Sequence, residues 1–361
     1  MSKGPAELVR DEIRAMTAYH VAPAGGMVKL DAMENPYRLP PDLAAEMGRR
    51  LAAVEVNRYP DPTARALKAR LREAMAIPPS LELLLGNGSD EVLQIVSLAL
   101  ARPGAVVVAP EPSFAVYRLA ARAAGMRYVG VPLAPDFTLD EAALMAAIER
   151  HRPALVWLAY PNNPTGNLFP RDAILRIVAA APGLVALDEA YYAFSGGASL
   201  LDEVGRHPNL LLVRTVSKLG LAGLRLGLAI GPRPWLDELE KLRLPYNVNA
   251  LTDCAARLLL EHREVFERQT ADIVAGRALL EAALDRLPGL RRFPSAANFV
   301  LVRVPDAPAA FEALRQRGIL VRNFHGSHPL LAHCLRLTVG TADENAKLIE
   351  AFASALAPHH A

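Results

Sequence analysis

The sequence has few of the features that mark disulfide-rich, metal-binding or membrane-spanning proteins. Its 361 residues include only two cysteines, Cys254 and Cys334, and neither belongs to a CxxC pair. We therefore expect two reduced thiols, with neither a disulfide framework nor a zinc site built on cysteines. The longest apolar runs, such as LVWLAY, are far shorter than the roughly 20 residues that span a bilayer, so no membrane segment is predicted.

The sequence also lacks a marked excess of either charge. Lysine and arginine total 40 and aspartate and glutamate total 38, which gives a formal net charge of +2 at pH 7. This balance provides no electrostatic attraction to nucleic acid or to an acidic membrane surface. The opening MSKGPAELVRDEIRAM mixes charges into a helical pattern without the apolar core of a signal peptide. These features predict a soluble cytoplasmic protein that binds neither nucleic acid nor membrane.

The apolar residues are arranged for a sheet that is covered by helices. From about residue 80 to residue 231, short apolar runs alternate with longer helical patterns. Runs that are apolar throughout are typical of strands buried on both faces of a parallel sheet. This pattern predicts an α/β architecture with ligands beyond the carboxyl ends of the strands.

After about residue 250 the pattern changes to long helices and three further apolar runs, NFVLVRV, ILVRNF and CLRLTVG. This mixture predicts a smaller α+β domain. The Pro-rich opening segments VAPAGG and MENPYRLPP are predicted to form an extended arm that packs beside it.

Two candidate sites are turns that follow predicted strands. In GNGSDEV, Gly88 permits unusual backbone angles, and Ser89 or Asp90 is a suitable N-cap for the next helix. The free N–H groups and positive dipole end of such a helix form an anion site, most naturally for phosphate, although a purely structural cap explains the same residues. In YPNNPTGN, Asn163 can hold its amide out at the end of a strand.

Two further sites place opposite charges at neighbouring strand ends. Asp188 ends the apolar run LVALD, and Lys218 follows LLLVRTVS 30 residues later. An ion pair is one explanation, and Glu189 beside Asp188 leaves a metal site as an alternative, but buried ion pairs often add little stability. A desolvated lysine is a nucleophile towards an aldehyde. Pyridoxal phosphate needs such a lysine and a carboxylate for its ring nitrogen, so the combined signals predict a pyridoxal phosphate site.

Several motifs together resemble the fold-type I pyridoxal-phosphate aminotransferases of the aspartate aminotransferase superfamily: PNNPTG, DEAY, SK followed by GLAGLRLG, and CLRLTVG. They extend from about residue 30 to residue 340, which is nearly the whole chain. Within the superfamily, ENPY, NRYPD, GNGSDE, GILVRNF and CLRLTVGT look most like the histidinol-phosphate aminotransferases. That family transfers an amino group between glutamate and imidazole acetol phosphate in histidine biosynthesis.

The resemblance implies a domain organisation and an assembly. A large pyridoxal-phosphate-binding domain, residues 41–261, would hold a mostly parallel seven-stranded sheet between helices. A small C-terminal domain, residues 262–361, would pack with an N-terminal arm, residues 1–40. Tyr59 in NRYPD would reach the phosphate of the cofactor bound by the neighbouring subunit, so the active unit is expected to be a homodimer.

Residue by residue, the resemblance implies roles around the cofactor. Lys218 would form the Schiff base and then shuttle a proton, and Asp188 would pair with the pyridinium nitrogen. Asn163 and Tyr191 would hydrogen-bond the ring oxygen, and Phe114 would stack on the ring unless it is simply part of the core. The residues expected around the phosphate are Gly88, Ser89, Asp90, Thr215, Ser217 and Arg225.

The resemblance also implies substrate-binding residues. Arg336 would bind a substrate carboxylate and Arg322 would assist with the substrate phosphate, since a guanidinium suits both anions; edge strands with outward arginines are the alternative. Tyr19 and Asn35 would belong to the substrate-binding arm. Two departures lie in this arm: the family usually has NENP where this chain has MENP, with Met33 in the first position, and AYHVAPAGG around Tyr19 matches only loosely.

Other functions remain open at this stage. Another class I or II aminotransferase, of the aromatic or aspartate type, would need the same cofactor site, and so would a decarboxylase of a phosphorylated amino acid such as threonine phosphate. A cofactor-sensing transcription regulator would carry an added helix-turn-helix segment, and none is visible. A dehydrogenase would carry GxGxxG after an early strand, and the sequence has no such motif there.

Overall fold

The computed structural model describes residues 4–18 and 23–356. Strands and helices are numbered in chain order. The strands are β1 (Val28–Leu30), β2 (Glu82–Asn87), β3 (Val106–Glu111), β4 (Arg127–Pro132), β5 (Leu155–Ala159), β6 (Leu184–Asp188), β7 (Leu210–Thr215), β8 (Leu226–Gly231), β9 (Arg291–Arg292), β10 (Phe299–Arg303), β11 (Ile319–Asn323) and β12 (Cys334–Thr338). The helices are α1 (Pro5–Leu8), α2 (Asp11–Arg14), α3 (Pro41–Ala52), α4 (Arg65–Ala74), α5 (Ser89–Ala99), α6 (Val116–Ala123), α7 (Glu141–His151), α8 (Arg171–Ala180), α9 (Arg233–Glu240), α10 (Ala250–Glu261), α11 (Arg263–Leu284), α12 (Ala307–Gln316) and α13 (Ala342–Leu356).

Seven strands form the large sheet, in the order β2-β8-β7-β6-β5-β3-β4. Strands β3 to β7 pair in parallel, whereas β8 is antiparallel to both of its neighbours, β2 and β7. The prediction of a mostly parallel seven-stranded sheet is therefore confirmed.

Strand β5 illustrates why these runs are apolar throughout. All five of its residues are buried. Because side chains alternate across a strand, Leu155 and Trp157 belong to one apolar cluster, and Val156 and Leu158 belong to another on the opposite face. Helices α5, α6 and α9 cover the first cluster, and helices α4, α7, α8 and α10 contribute to the second.

The small sheet has five strands in the order β1-β11-β12-β10-β9. Its edge strand β1 comes from the N-terminal part of the chain and pairs in parallel with β11, where Val28 lies opposite Ile319. The other pairs are antiparallel. Helices α11, α12 and α13 add apolar residues to a third cluster around this sheet. The prediction of a smaller α+β unit that includes the N-terminal arm is confirmed.

No helix in the part of the chain that the structure describes is long and apolar enough to cross a membrane. Within residues 4–18 and 23–356, no group of three or more His, Cys, Asp or Glu side chains could hold a metal ion.

Candidate active site

A cavity of about 450 Å³ lies at the carboxyl ends of β6 and β7, between the large and the small sheet. It brings together most of the residues predicted to hold a cofactor or a substrate. Those that line it are Ser89, Asp90, Phe114, Asn163, Asp188, Tyr191, Thr215, Ser217, Lys218, Arg225, Arg322 and Arg336.

Lys218 follows β7 in a short 3-10 turn, Ser217–Leu219, so its position depends on where the strand ends. The ammonium is partly buried and donates to the carbonyl oxygen of Ala32 at 3.3 Å. Burial, followed by the nearby Arg336 charge, lowers the pKa of Lys218 from its usual value to about 8. A substantial neutral fraction near physiological pH makes this amine available as a nucleophile or a base.

Asp188 is the last residue of β6 and is 5% exposed. One of its carboxylate oxygens accepts a hydrogen bond from the Tyr117 hydroxyl at 2.8 Å, and the other accepts from the backbone N–H of Ala190 at 3.1 Å. Burial raises the pKa of Asp188 to about 6, although these hydrogen bonds and the Lys218 charge act in the opposite direction. The carboxylate is therefore held in one orientation and is suited to a cationic partner.

Tyr117 is a site residue that the sequence did not reveal. It is fully buried on α6 and stacks on Trp157, with ring centroids 5.1 Å apart and an interplanar angle of 4°. It lies one helical turn after Phe114, whose ring meets it edge-on at 5.7 Å. The spacing in EPSFAVY could have placed both rings on one helix face, but only the fold brings the Tyr117 hydroxyl to Asp188.

Asn163, Tyr191 and Arg336 are joined by hydrogen bonds. The Asn163 amide donates to the Tyr191 hydroxyl oxygen at 3.1 Å, and its carbonyl oxygen accepts from Arg336 at 2.6 Å. Arg336, which is 5% exposed on β12, also donates to the carbonyl oxygen of Asp31 at 2.8 Å. A guanidinium of the small sheet is thus tied directly to an amide beside the large sheet.

The turn before α5 has the form of an anion site. Gly88 has φ 85° and is the N-cap of α5, so Ser89 and Asp90 lie in the first helical turn. This differs from the expectation that Ser89 or Asp90 would cap the helix, because the left-handed turn requires glycine at that position. The Arg225 guanidinium approaches so closely that a Cβ at Gly88 would lie 2.5 Å from it, and Arg225 also pairs with Asp90 at 3.4 Å.

Thr215 and Ser217 lie beside this turn at the end of β7. The Thr215 hydroxyl donates to Ser217 Oγ at 2.8 Å and accepts from the backbone N–H of Ser217 at 3.1 Å. Two hydroxyls, the N-terminus of α5 and a guanidinium therefore border the same end of the cavity. These are the groups that bind a phosphate.

Two of the predicted residues, Asn35 and Tyr59, lie elsewhere. Asn35 does not line the cavity; its amide donates to the carbonyl oxygen of Leu219 at 3.1 Å and to Gln269 at 2.9 Å. Tyr59 is 80% exposed and stacks on Tyr246 with centroids 4.4 Å apart. Tyr19 lies outside the described residues.

Glu189 is the residue whose position beside Asp188 left a metal site open as an alternative. It is fully buried, and its Oε2 pairs with Nη2 of Arg214 at 2.8 Å. Its carboxylate also accepts from Ser199 and from the backbone N–H of Leu200. Because neighbouring strand residues face opposite ways, Glu189 does not share the cavity with Asp188.

The chain is similar to known proteins over most of its length. The sequence model of the family described as aminotransferase class I and II matches residues 25–352. The chain is 57% identical over 345 residues to the histidinol-phosphate aminotransferase of Chromobacterium violaceum, covering 96% of this chain and 97% of that protein. It is 52% identical over 354 residues to histidinol-phosphate aminotransferase 2 of Cupriavidus pinatubonensis, covering 97% and 96%.

A solved structure is similar over the same extent. The histidinol-phosphate aminotransferase of Sinorhizobium meliloti, crystallised in complex with pyridoxal-5'-phosphate, superposes with a TM-score of 0.86 at 26% sequence identity. The match covers 96% of each chain.

Proposed function

Since the chain belongs to the class I and II aminotransferase family, we propose that it transfers the amino group between L-histidinol phosphate and 2-oxoglutarate. The products are imidazole acetol phosphate and L-glutamate, and the reaction belongs to histidine biosynthesis. The observation that carries the proposal is that Lys218, Asp188 and Arg225 line one cavity together with Arg322 and Arg336. Both relatives described above, each with more than half of its residues identical, bear the name of this reaction.

The cofactor of the proposed reaction is pyridoxal 5'-phosphate, and the cavity residues fit its three polar parts. Lys218 supplies an amine of lowered pKa for the aldehyde, and Asp188 supplies a buried carboxylate for the ring nitrogen. The close approach of Arg225 to the side-chain-free Gly88 forms a cradle for the phosphate. When bound, pyridoxal phosphate supplies an electron sink that stabilises negative charge at the substrate Cα.

Lys218 is the residue that moves the proton. At about pH 8 its amine is half neutral, and a neutral Nζ can take the proton from the substrate Cα and later return it. Asp188 keeps a proton on the ring nitrogen through its negative charge. Asn163 and Tyr191 supply an amide and a hydroxyl for the ring oxygen, and Phe114 supplies a flat apolar face at the cavity wall.

Substrate recognition is assigned to two arginines of the small sheet. Arg336 on β12 and Arg322 on β11 are directly paired across the sheet, so their guanidinium groups enter the cavity from one side. Guanidinium groups bind both carboxylates and phosphates. This property suits a site that must accept glutamate and a phosphorylated imidazole alcohol in turn. The roles of Tyr19 and Asn35 in substrate binding stay predictions.

The proposed active unit is a homodimer in which Tyr59 reaches the cofactor phosphate of the partner subunit. Its support is the exposure of Tyr59, at 80%, together with the exposed apolar side chains of Val56 and Leu244 at 75% and 73%. Exposed apolar side chains that lie together mark surfaces that bind another protein, and a second copy of this chain would cover the Tyr59 ring. The division into an arm (1–40), a large domain (41–261) and a small domain (262–361), and a location in the cytoplasm, likewise stay predictions.

A half-reaction tests the proposed function. Holoenzyme is mixed with L-histidinol phosphate in the absence of a keto acid, and the visible band of the cofactor is recorded. We expect the band to be lost as the cofactor takes up the amino group, and to return when 2-oxoglutarate is added. Conversion by glutamate or phenylalanine but not by histidinol phosphate would refute the substrate assignment, and release of carbon dioxide without use of a keto acid would indicate a decarboxylase.

A further inference from the structure

Met33 occupies the position that is asparagine in NENP, the motif of the family that this sequence resembles, and its backbone is left-handed. Its φ is 54°, a conformation that asparagine and glycine adopt far more readily than methionine. The backbone is held on both sides, because its N–H donates to Thr338 Oγ1 at 3.0 Å and its carbonyl oxygen accepts from Asn298 Nδ2 at 2.9 Å. The backbone alone therefore favours asparagine, so the presence of methionine has to be explained by its side chain.

The Met33 side chain contacts the cofactor-binding residues. It lines the cavity and is 9% exposed. Its sulfur accepts a hydrogen bond from the Tyr191 hydroxyl at 3.5 Å. The same hydroxyl oxygen accepts from Asn163, which in turn accepts from Arg336. Met33 is thus an acceptor at the far end of the chain of hydrogen bonds that begins at Arg336.

A thioether is a weak acceptor, whereas an amide oxygen is a strong one. We propose that Met33 is a positioning residue through its weakness as an acceptor: its sulfur holds the Tyr191 proton so weakly that this proton turns to the ring oxygen of pyridoxal phosphate when the cofactor is bound. An amide at this point would compete with the ring oxygen for the same proton. The inference rests on the proposed function, because it needs the cofactor in this cavity.

The test is a pH titration of the visible band of the bound cofactor in purified holoenzyme. Donation from Tyr191 stabilises the ring oxygen as an anion, which lowers the pH at which the bound cofactor loses its proton. Met33→Gln keeps the length of the side chain but adds a strong acceptor, and it should raise the midpoint by about half to one pH unit. Met33→Leu has a similar volume and no acceptor, and its midpoint should stay within about 0.2 units of wild type or fall below it.

A double-mutant cycle separates this effect from packing. In a Tyr191→Phe background there is no proton to compete for, so Met33→Gln should leave the midpoint unchanged. If the glutamine variant does not fold, Met33→Asn, which suits the left-handed backbone, presents the same amide and should shift the midpoint in the same direction.

The proposal is overturned if leucine and glutamine shift the midpoint equally, or if the glutamine shift persists in the Tyr191→Phe background. A wild-type protein that shows no visible band with pyridoxal phosphate would refute the cofactor assignment itself, and the role of Met33 with it. A normal band with an unchanged midpoint in the glutamine and asparagine variants would refute only the role of Met33.

Discussion

Removing the Tyr117 hydroxyl tests whether it maintains the charge of Asp188. The variant Tyr117→Phe deletes the 2.8 Å hydrogen bond to the carboxylate. It keeps the ring, whose stacking on Trp157 fills the core beneath the site. The fold should therefore be retained, and the change should act on the titration of Asp188.

The magnitude follows from the position of Asp188 in the fold. Burial already raises the pKa of its carboxyl group to about 6 with the Tyr117 bond in place. A hydrogen bond to a charged group contributes about 1.5–3 kcal/mol, or roughly one to two pH units. The carboxyl group of the variant should therefore titrate at roughly pH 7–8. Since the cofactor needs the ionised form, affinity should fall about tenfold near pH 6.5 and be unchanged above about pH 9.

The assay is a titration of cofactor-free protein with pyridoxal phosphate across this pH range. Tyr128→Phe is the matched control, because it removes a hydroxyl from β4 at the edge of the same sheet, and Tyr128 does not line the cavity. An equal loss of affinity at every pH would mean that Tyr117 acts through packing. No loss at pH 6.5 would refute the reasoning about Asp188.

Subunits of the Tyr59→Ala and Lys218→Ala variants, when mixed and re-associated, should recover about one quarter of wild-type activity. About half of the random dimers are mixed, and one of the two sites in each mixed dimer has both Lys218 and a Tyr59 from the other subunit. No recovery would contradict the contribution of Tyr59 across the interface. In cofactor-free protein, Lys218→Met should raise the thermal stability at pH 7, because it removes a buried charge. The gain should shrink between about pH 8 and 10.5, because in this range Lys218 of the folded wild type is neutral while Lys218 of the unfolded chain is still charged. A gain that stays constant with pH would contradict the lowered pKa of Lys218. Glu189→Gln leaves Arg214 buried without its counter-charge and should lower the free energy of unfolding in urea by about 3–5 kcal/mol. Glu141→Gln, at the exposed pair with Arg176, should have a far smaller effect, because exposed ion pairs add little stability. Equal effects would refute this difference.

The sequence predicted the parts of the site that depend on local pattern. Asp188 and Lys218 each follow a run of apolar residues, so the ends of the strands could be located, and parallel strands bring such ends to one edge of a sheet. Gly88 and Asn163 are in turns whose composition is visible in the same way. The fold class followed from the same runs, because strands buried on both faces are apolar over most of their length.

The remaining features depend on packing between distant segments. Tyr117 reaches Asp188 across 71 residues of sequence, and no periodicity predicts that a helix will point a hydroxyl at a particular strand end. Asn35 was predicted at the substrate, but it donates to Leu219 and Gln269. An amide with several donors and acceptors is equally suited to a substrate and to a neighbouring loop, so its partner is decided by the position of α11, which the sequence pattern does not give.

The position of Asn163 couples the two sheets chemically. Arg336 belongs to the small sheet and donates to the Asn163 carbonyl oxygen at 2.6 Å, while the Asn163 amide donates to Tyr191 at 3.1 Å. A substrate carboxylate that binds Arg336 must share the guanidinium with Asn163 or displace it, since a guanidinium has a fixed set of five donors. Displacement would free the Asn163 carbonyl oxygen and so alter the hydrogen bond that its amide offers to Tyr191. On the proposed assignment of Arg336 to a substrate carboxylate, binding of the substrate would then act through a single amide on the hydroxyl assigned to the ring oxygen of the cofactor.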